Sequence, residues 1–135
     1  MHTVTPYLMV DGAAKLIDFL KQAFGAEEYH CSLTAEGRIM HAQVKIGDSP
    51  VMIADSSPQY GPMPVMLHLY VPDVDATYAK AVAAGGTSLR EPADQFYGDR
   101  SGGVRDPFGN QWWISTHVED VSEEEMARRM KALGR

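Results

Sequence analysis

Apolar and polar positions in this chain follow two rhythms, one of strands and one of helices, and the same succession is written twice. Residues 3–10 read as a strand, with Pro6 pointing to an edge or a bulge. Ala13, Leu16, Ile17, Leu20 and Phe24 then recur at helical spacing, while Lys15, Asp18, Lys21 and Gln22 fall off that face. This predicts a helix capped by Asp11 and stopped at Gly25. Residues 27–33 form a second strand with Tyr29, Cys31 and Leu33 on one side. Residues 39–46 alternate: Met40, Ala42, Val44 and Ile46 share one face, His41, Gln43 and Lys45 the other. After a Gly47-Asp48 turn, residues 50–55 complete the first set.

Residues 56–64, rich in Ser, Pro and Gly, read as a linker. The second set opens with a strand over 65–71. A helix follows, capped by Asp73 or Asp75 and burying Val74, Tyr78, Ala81 and Val82, and it ends at Gly85-Gly86. A short strand is expected over 87–90. Residues 91–103 lack clear periodicity and suggest a long loop or irregular hairpin, with Gly102-Gly103 as a turn signal. Asp106-Pro107-Phe108-Gly109-Asn110 is a strong turn, leading into a last strand over 111–118. An offset of 61 positions carries Val10 onto Val71 and the first helix onto the second without a gap. The tail is a separate helix: Ser122 and Glu125 make a capping box, and Met126, Met130 and Leu133 a narrow apolar stripe. It lies across its own sheet or reaches over a partner subunit.

Composition narrows the function. With 135 residues the chain suffices for one domain with its own core. A formal charge of −6 argues against nucleic acid and anionic membrane surfaces as partners. No apolar run approaches the ~20 residues of a membrane span. The lone cysteine, Cys31, excludes an internal disulfide and is expected as a small buried apolar group. It suits a reducing compartment. Residues 1–4 carry neither a basic segment nor an apolar signal core, so a cytoplasmic location is expected.

Several stretches carry a resemblance. They are Ile46-Gly47-Asp48-Ser49 with Ala54-Asp55, His68-Leu69-Tyr70-Val71 with Asp73-Val74-Asp75, and Phe96-Tyr97-Gly98-Asp99-Arg100. Asp106 to Asn110 and Thr116-His117-Val118-Glu119-Asp120-Val121 continue it. With the doubled strand-helix-strand-strand-strand order, they resemble the vicinal oxygen chelate superfamily of glyoxalases, bleomycin-resistance proteins and dioxygenases, and within it the small PhnB-like bacterial proteins. The resemblance implies an α+β fold. Two βαβββ modules form curved mixed sheets around a cavity, and a C-terminal helix is added. The modules would span residues 3–56 and 65–118, the linker 57–64 and the tail helix 122–133, all within one glyoxalase-like domain covering 1–135. The resemblance also implies a homodimer and a small-molecule ligand.

Metal-dependent members hold a divalent ion with His, Glu or Gln from the first and last strands of each module. Here the matching positions fall on Thr5, Met66, Trp113 and the neighbourhood of residues 53–55, where only Asp55 could ligate. Hydroxyl, thioether and indole are poor ligands for such ions, so no resident metal or other cofactor is expected. Strand alternation that turns Met66 inward also turns His68 and Tyr70 inward, and likewise Thr5, Tyr7 and Met9 from the first strand and Trp113, Ser115 and His117 from the last. One indole of Trp112-Trp113 should pack under a helix, and the other should give a flat wall for a planar ligand. Tyr97 and Arg100 sit where the resemblance implies a cavity mouth; Arg100 would pair with an anionic ligand group or with Asp99 or Asp106. The expected function is therefore binding of an apolar or aromatic molecule by Tyr7, Met66, His68, Tyr70, Tyr97, Arg100 and Trp113. The alternative is a lyase, isomerase or dioxygenase in which His41, Asp55 and His68 converge to hold a divalent metal or to do acid–base work.

Overall fold

The computed structural model describes residues 2–135; Met1, where the expected domain begins, lies outside them. The first module contains β1 (Tyr7–Val10), α1 (Ala13–Phe24), β2 (Glu27–Leu33), β3 (Ile39–Ile46) and β4 (Ser49–Asp55). The second contains β5 (Met66–Tyr70), α2 (Val74–Ala83), β6 (Thr87–Asp94), β7 (Asp99–Arg105) and β8 (Gln111–His117), and α3 (Glu123–Ala132) follows. Each module builds a four-stranded mixed sheet of the same topology. The orders are β1-β4-β3-β2 and β5-β8-β7-β6, with β1 parallel to β4 and β5 parallel to β8. The repeat in the sequence is thus a repeat in space.

Alternation along the strands divides each sheet into two faces. Leu8, Val10, Ala42, Val44 and Ile53 are buried on the helix side of the first sheet, with Leu16 and Leu20 of α1 above them. Val104, Trp112 and Ile114 are buried on the helix side of the second. The helices lie between the sheets: α1 packs on α2, and the Phe24 ring sits 5.1 Å from that of Trp112. The two modules therefore share one core, and their opposite faces are left open. Tyr7, Met66 and Tyr70 are exposed on those faces.

Several local expectations change. The N-cap of α1 is Gly12 with φ 124°, and it has no side-chain cap of its own. The cap comes from Asp55, whose Oδ1 accepts from the backbone N–H of Gly12 at 3.0 Å and of Ala13 at 2.8 Å. Asp11 pairs with Arg38 instead. Gly12 also faces Phe108 of the second module so closely that a Cβ would come within 2.8 Å of the ring. Asp73 caps α2, accepting from Ala76 N. Along β3, Ile39 is buried and Met40 exposed, because the pairing of β2 with β3 shifts between Ser32 and Leu33. Cys31 is exposed, since β2 is an edge strand whose side chains the helices do not cover.

The stretch read as a loop is an ordered hairpin. β6 continues to Asp94 through register shifts on both sides of Arg90, and Pro92 is accommodated there. Gly102 and Gly103 are buried within β7, not at a turn. The tail helix is capped as expected, with Ser122 Oγ accepting from Glu125 N at 3.1 Å. Arg129 fixes it to its own chain by donating to the Phe96 carbonyl (3.0 Å) and Glu119 (2.7 Å). No residue of α3 is buried, and Leu133 stays exposed. Among the described residues no helix is long and apolar enough to cross a membrane.

Candidate functional site

The open face of the second sheet is the richest surface in chemistry, and strand register lays it out in rows. Thr87, Arg105, Gln111 and Met66 form the first row across β6, β7, β8 and β5. Arg90, Gly103, Trp113 and His68 form the second, and Ala93, Ser101, Ser115 and Tyr70 the third. Asp99 and His117 pair beyond them.

Trp113 lies flat because Gly103 has no side chain. A Cβ at Gly103 would stand 2.6 Å from two carbons of the indole, too close for any other residue. The Arg90 guanidinium lies over the face of the ring, 4.9 Å from its centroid, and Trp113 Nε1 donates to Gln111 Oε1 at 3.2 Å. The neighbouring His68 stacks on Tyr70 with centroids 5.1 Å apart, and its Nε2 is 2.7 Å from Ser115 Oγ. Tyr70 donates its hydroxyl proton to Asp99 Oδ2 at 2.9 Å. The other oxygen of Asp99 is 3.0 Å from His117 Nδ1, and His117 Nε2 is 2.7 Å from Asp120. Asp99, Ser101 and Ser115 are buried beneath these rings, each with a partner. His68, Tyr70 and His117 are thereby anchored from below.

The electrostatics follow from these contacts. Asp99 as hydrogen-bond acceptor, with burial adding to it, raises the Tyr70 pKa, so Tyr70 stays a neutral phenol. Asp99, and then Asp120, raise the His117 pKa and favour the imidazolium. At Asp55, burial pushes the pKa up, but N–H groups of Ala13, Ile39 and Gly12 and the Arg38 guanidinium outweigh it and hold the carboxyl below its ordinary range.

Met66, His68, Tyr70 and Trp113 thus share one face. Tyr97 lies in the turn that joins β6 to β7, with its ring 5.2 Å from that of Phe96. Tyr7 lies on the open face of the other sheet, its hydroxyl 3.1 Å from His41 Nδ1. Arg100 projects to the helix side, where it grips Asp75 (2.8 Å) and Asp94 (3.3 Å) rather than Asp99 or Asp106. His41 and His68 stand on different sheets, and neither hydrogen bonds to Asp55, which is committed to three backbone donors. The donors at the positions of a superfamily metal do not fit a divalent ion. The Trp113 nitrogen carries its proton toward Gln111, Thr5 donates to the His2 carbonyl, and Met66 offers only a thioether. Among the described residues no three His, Cys, Asp or Glu side chains gather into such a set.

Arg90 and Asp99 belong to this site and are not among the binding residues expected from the sequence; Ser115 stands on the face expected for it. The signal for Arg90 and Asp99 was the strand parity of Trp113, which was usable only once the hairpin of β6 and β7 was recognised. Two hollows flank the faces. One of about 710 Å³ is roofed by the linker, where Tyr60 and Met63 meet Tyr7, Met9 and Met40; Met63 N donates to Met9 O. The other, about 730 Å³, opens at the seam between modules beside His68 and Tyr70. Trp113 lines neither.

Two half-shells, each backed by its helix on one side and open on the other, define a duplicated βαβββ scaffold. The chain belongs to the Glyoxalase/Bleomycin resistance protein/Dioxygenase superfamily, which it matches over residues 1–114. The uncharacterized protein Mb0911c of Mycobacterium bovis is 37% identical over 142 residues, covering 97% of this chain and 93% of that one. The Arabidopsis thaliana gene product AT5G48480 superposes with a TM-score of 0.68 at 26% identity, covering 85% of this chain and 98% of that one. A PhnB protein from Bacillus cereus gives a TM-score of 0.68 at 21% identity, over 85% of this chain and 99% of that one.

Proposed function

We propose that this protein binds a small planar molecule on the open face of its second sheet, with Trp113 as the platform and Met66, His68, Tyr70 and Tyr97 around it. The observation that carries this reading is the seat of Trp113. An indole held flat over a glycine, in a row with an anchored histidine, is a preorganised apolar surface on the outside of a folded chain. The hollow under the linker is less suited to selective binding, because Asp55 and Arg38 are spent there on structure: Asp55 caps α1, and Arg38 holds Asp11 and the Ser56 carbonyl. Tyr7 and His41 offer a second aromatic edge on the first sheet, which a partner subunit could bring over the platform.

The test is fluorescence titration with the neutral probe N-phenyl-1-naphthylamine. Replacing Trp113 with alanine should weaken binding roughly tenfold, the loss of one aromatic contact surface. Gly103→Val, which leaves the indole present but unseats it, should weaken binding by a similar factor. Unchanged affinity in both variants, with thermal melting showing them folded, would rule the platform out.

A further inference from the structure

We infer that the molecule taken by this face is an aromatic anion, with its ring on Trp113 and its charged group at Arg90 and Arg105; this rests on the platform reading above. The argument starts from where the cations go. Arg38, Arg100, Arg128 and Arg129 each hold at least one carboxylate within ion-pair distance. Arg90 and Arg105 hold none among the described residues, although the chain is acidic overall, with a net charge of −6. Both stand on the same open face. Arg90 pairs in register with Gly103, and Arg105 is two residues further along β7, opposite Thr87. Diagonal neighbours of this kind have side chains starting roughly 7 Å apart.

The surroundings of each cation sharpen the assignment. Arg90 is positioned by its bond to buried Ser101 (Nη2 to Oγ, 3.0 Å), and this single contact leaves most of its fork free. The Arg105 side chain makes no hydrogen bond among the described residues, and its row neighbour Gln111 already accepts from Trp113. The acidic groups of this face, Asp99 and Asp120, lie at its far end, and Tyr70 and His117 occupy Asp99. The face is therefore polarised: the Arg105 fork stands open on one side of the indole, the Arg90 guanidinium lies over the ring with one nitrogen on Ser101, and the acids at the far end are satisfied. Planar forks match a carboxylate, sulfonate or phosphate, and a conjugated ring bearing such a group would satisfy the indole and the forks together.

The experiment compares two molecules of one shape. 1-Naphthoate and 1-naphthamide are used to displace N-phenyl-1-naphthylamine from the full-length protein. The anion should displace the probe roughly tenfold more effectively, and this advantage should shrink as salt is raised. In the Arg90→Gln/Arg105→Gln double variant the advantage should vanish, with the displacement by acid and amide each read against the direct probe affinity of that same variant. The same pair of changes at Arg38 and Arg128 should leave the advantage intact. Equal displacement by acid and amide, with probe binding still dependent on Trp113, would overturn the anion assignment and leave the platform standing. Probe binding indifferent to Trp113 would remove both. A double variant that changes the mass in solution but keeps the advantage of the anion would make these arginines a contact between copies and overturn the assignment.

Discussion

Replacing Asp106 with alanine should cost about 4 kcal/mol of folding stability and lower the melting temperature by roughly 12 °C. The carboxylate is buried, and it accepts four hydrogen bonds around a single turn. Oδ1 takes the backbone N–H of Phe108 (2.8 Å) and of Asn110 (3.1 Å). Oδ2 takes Asn110 Nδ2 (2.9 Å) and the indole N–H of Trp112 (2.8 Å). Alanine leaves these donors without an acceptor in a region closed to water, and each orphaned donor costs on the order of 1–3 kcal/mol. The damage spreads, because Asn110 Oδ1 accepts from Val65 N and so ties the entry of β5 to β8. Asparagine should fare little better, since its amide would face donors with donors. The measurement is thermal unfolding followed by near-ultraviolet circular dichroism, which reads the environment of Trp112. A loss under about 1 kcal/mol would show that the turn is held by its proline and glycine alone.

Asp55→Asn should destabilise the fold by about 2 kcal/mol and flatten its acid sensitivity. Asp55 caps α1 through Gly12 and Ala13, and its other oxygen takes Ile39 N at 2.7 Å, so one carboxylate fastens β4 to the starts of α1 and β3. Its pKa in the folded protein lies below the ordinary 3.8, so the charged form is favoured by folding. The stabilisation is therefore complete above that ordinary value and is lost as the pH falls through the lower folded value. Urea unfolding at pH 5 and pH 3 should show a smaller drop in the Asn variant than in the wild type. Equal drops would mean that the acid response comes from other carboxylates.

The aromatic platform shows where local reading reached its end. Trp113 was expected to oppose Trp112 across the strand, because side chains alternate from face to face. That expectation holds, with Trp112 buried under Phe24 and Trp113 on the open face. What places the ring flat is Gly103 on the neighbouring strand, in a segment whose weak periodicity hides its strand character. Register shifts around Arg90 break the alternation that would have revealed β6. Arg100 makes the same point in reverse: its parity within β7 sends it toward Asp75 on α2 and away from Tyr70, Asp99 and Trp113.

The capping of α1 is the clearest case of a partner chosen at long range. Asp11 stands at the right distance along the chain, but Asp55, more than forty residues later, is delivered to the same N–H groups by the parallel pairing of β1 with β4. A chain position can show that a helix needs an acceptor, and not which acceptor arrives.

What the sequence by itself determined is the part governed by short-range periodicity: the doubled succession outside β6 and β7, the two faces of β5 and β8, the cap at Ser122, and the family. The tertiary structure alone decided that Arg90 joins Trp113, His68 and Tyr70 on one open face, and that the two open faces do not close on each other within one chain. Those outcomes depend on register and on how α1 and α2 pack between the sheets, and neither is encoded in the spacing of any one segment.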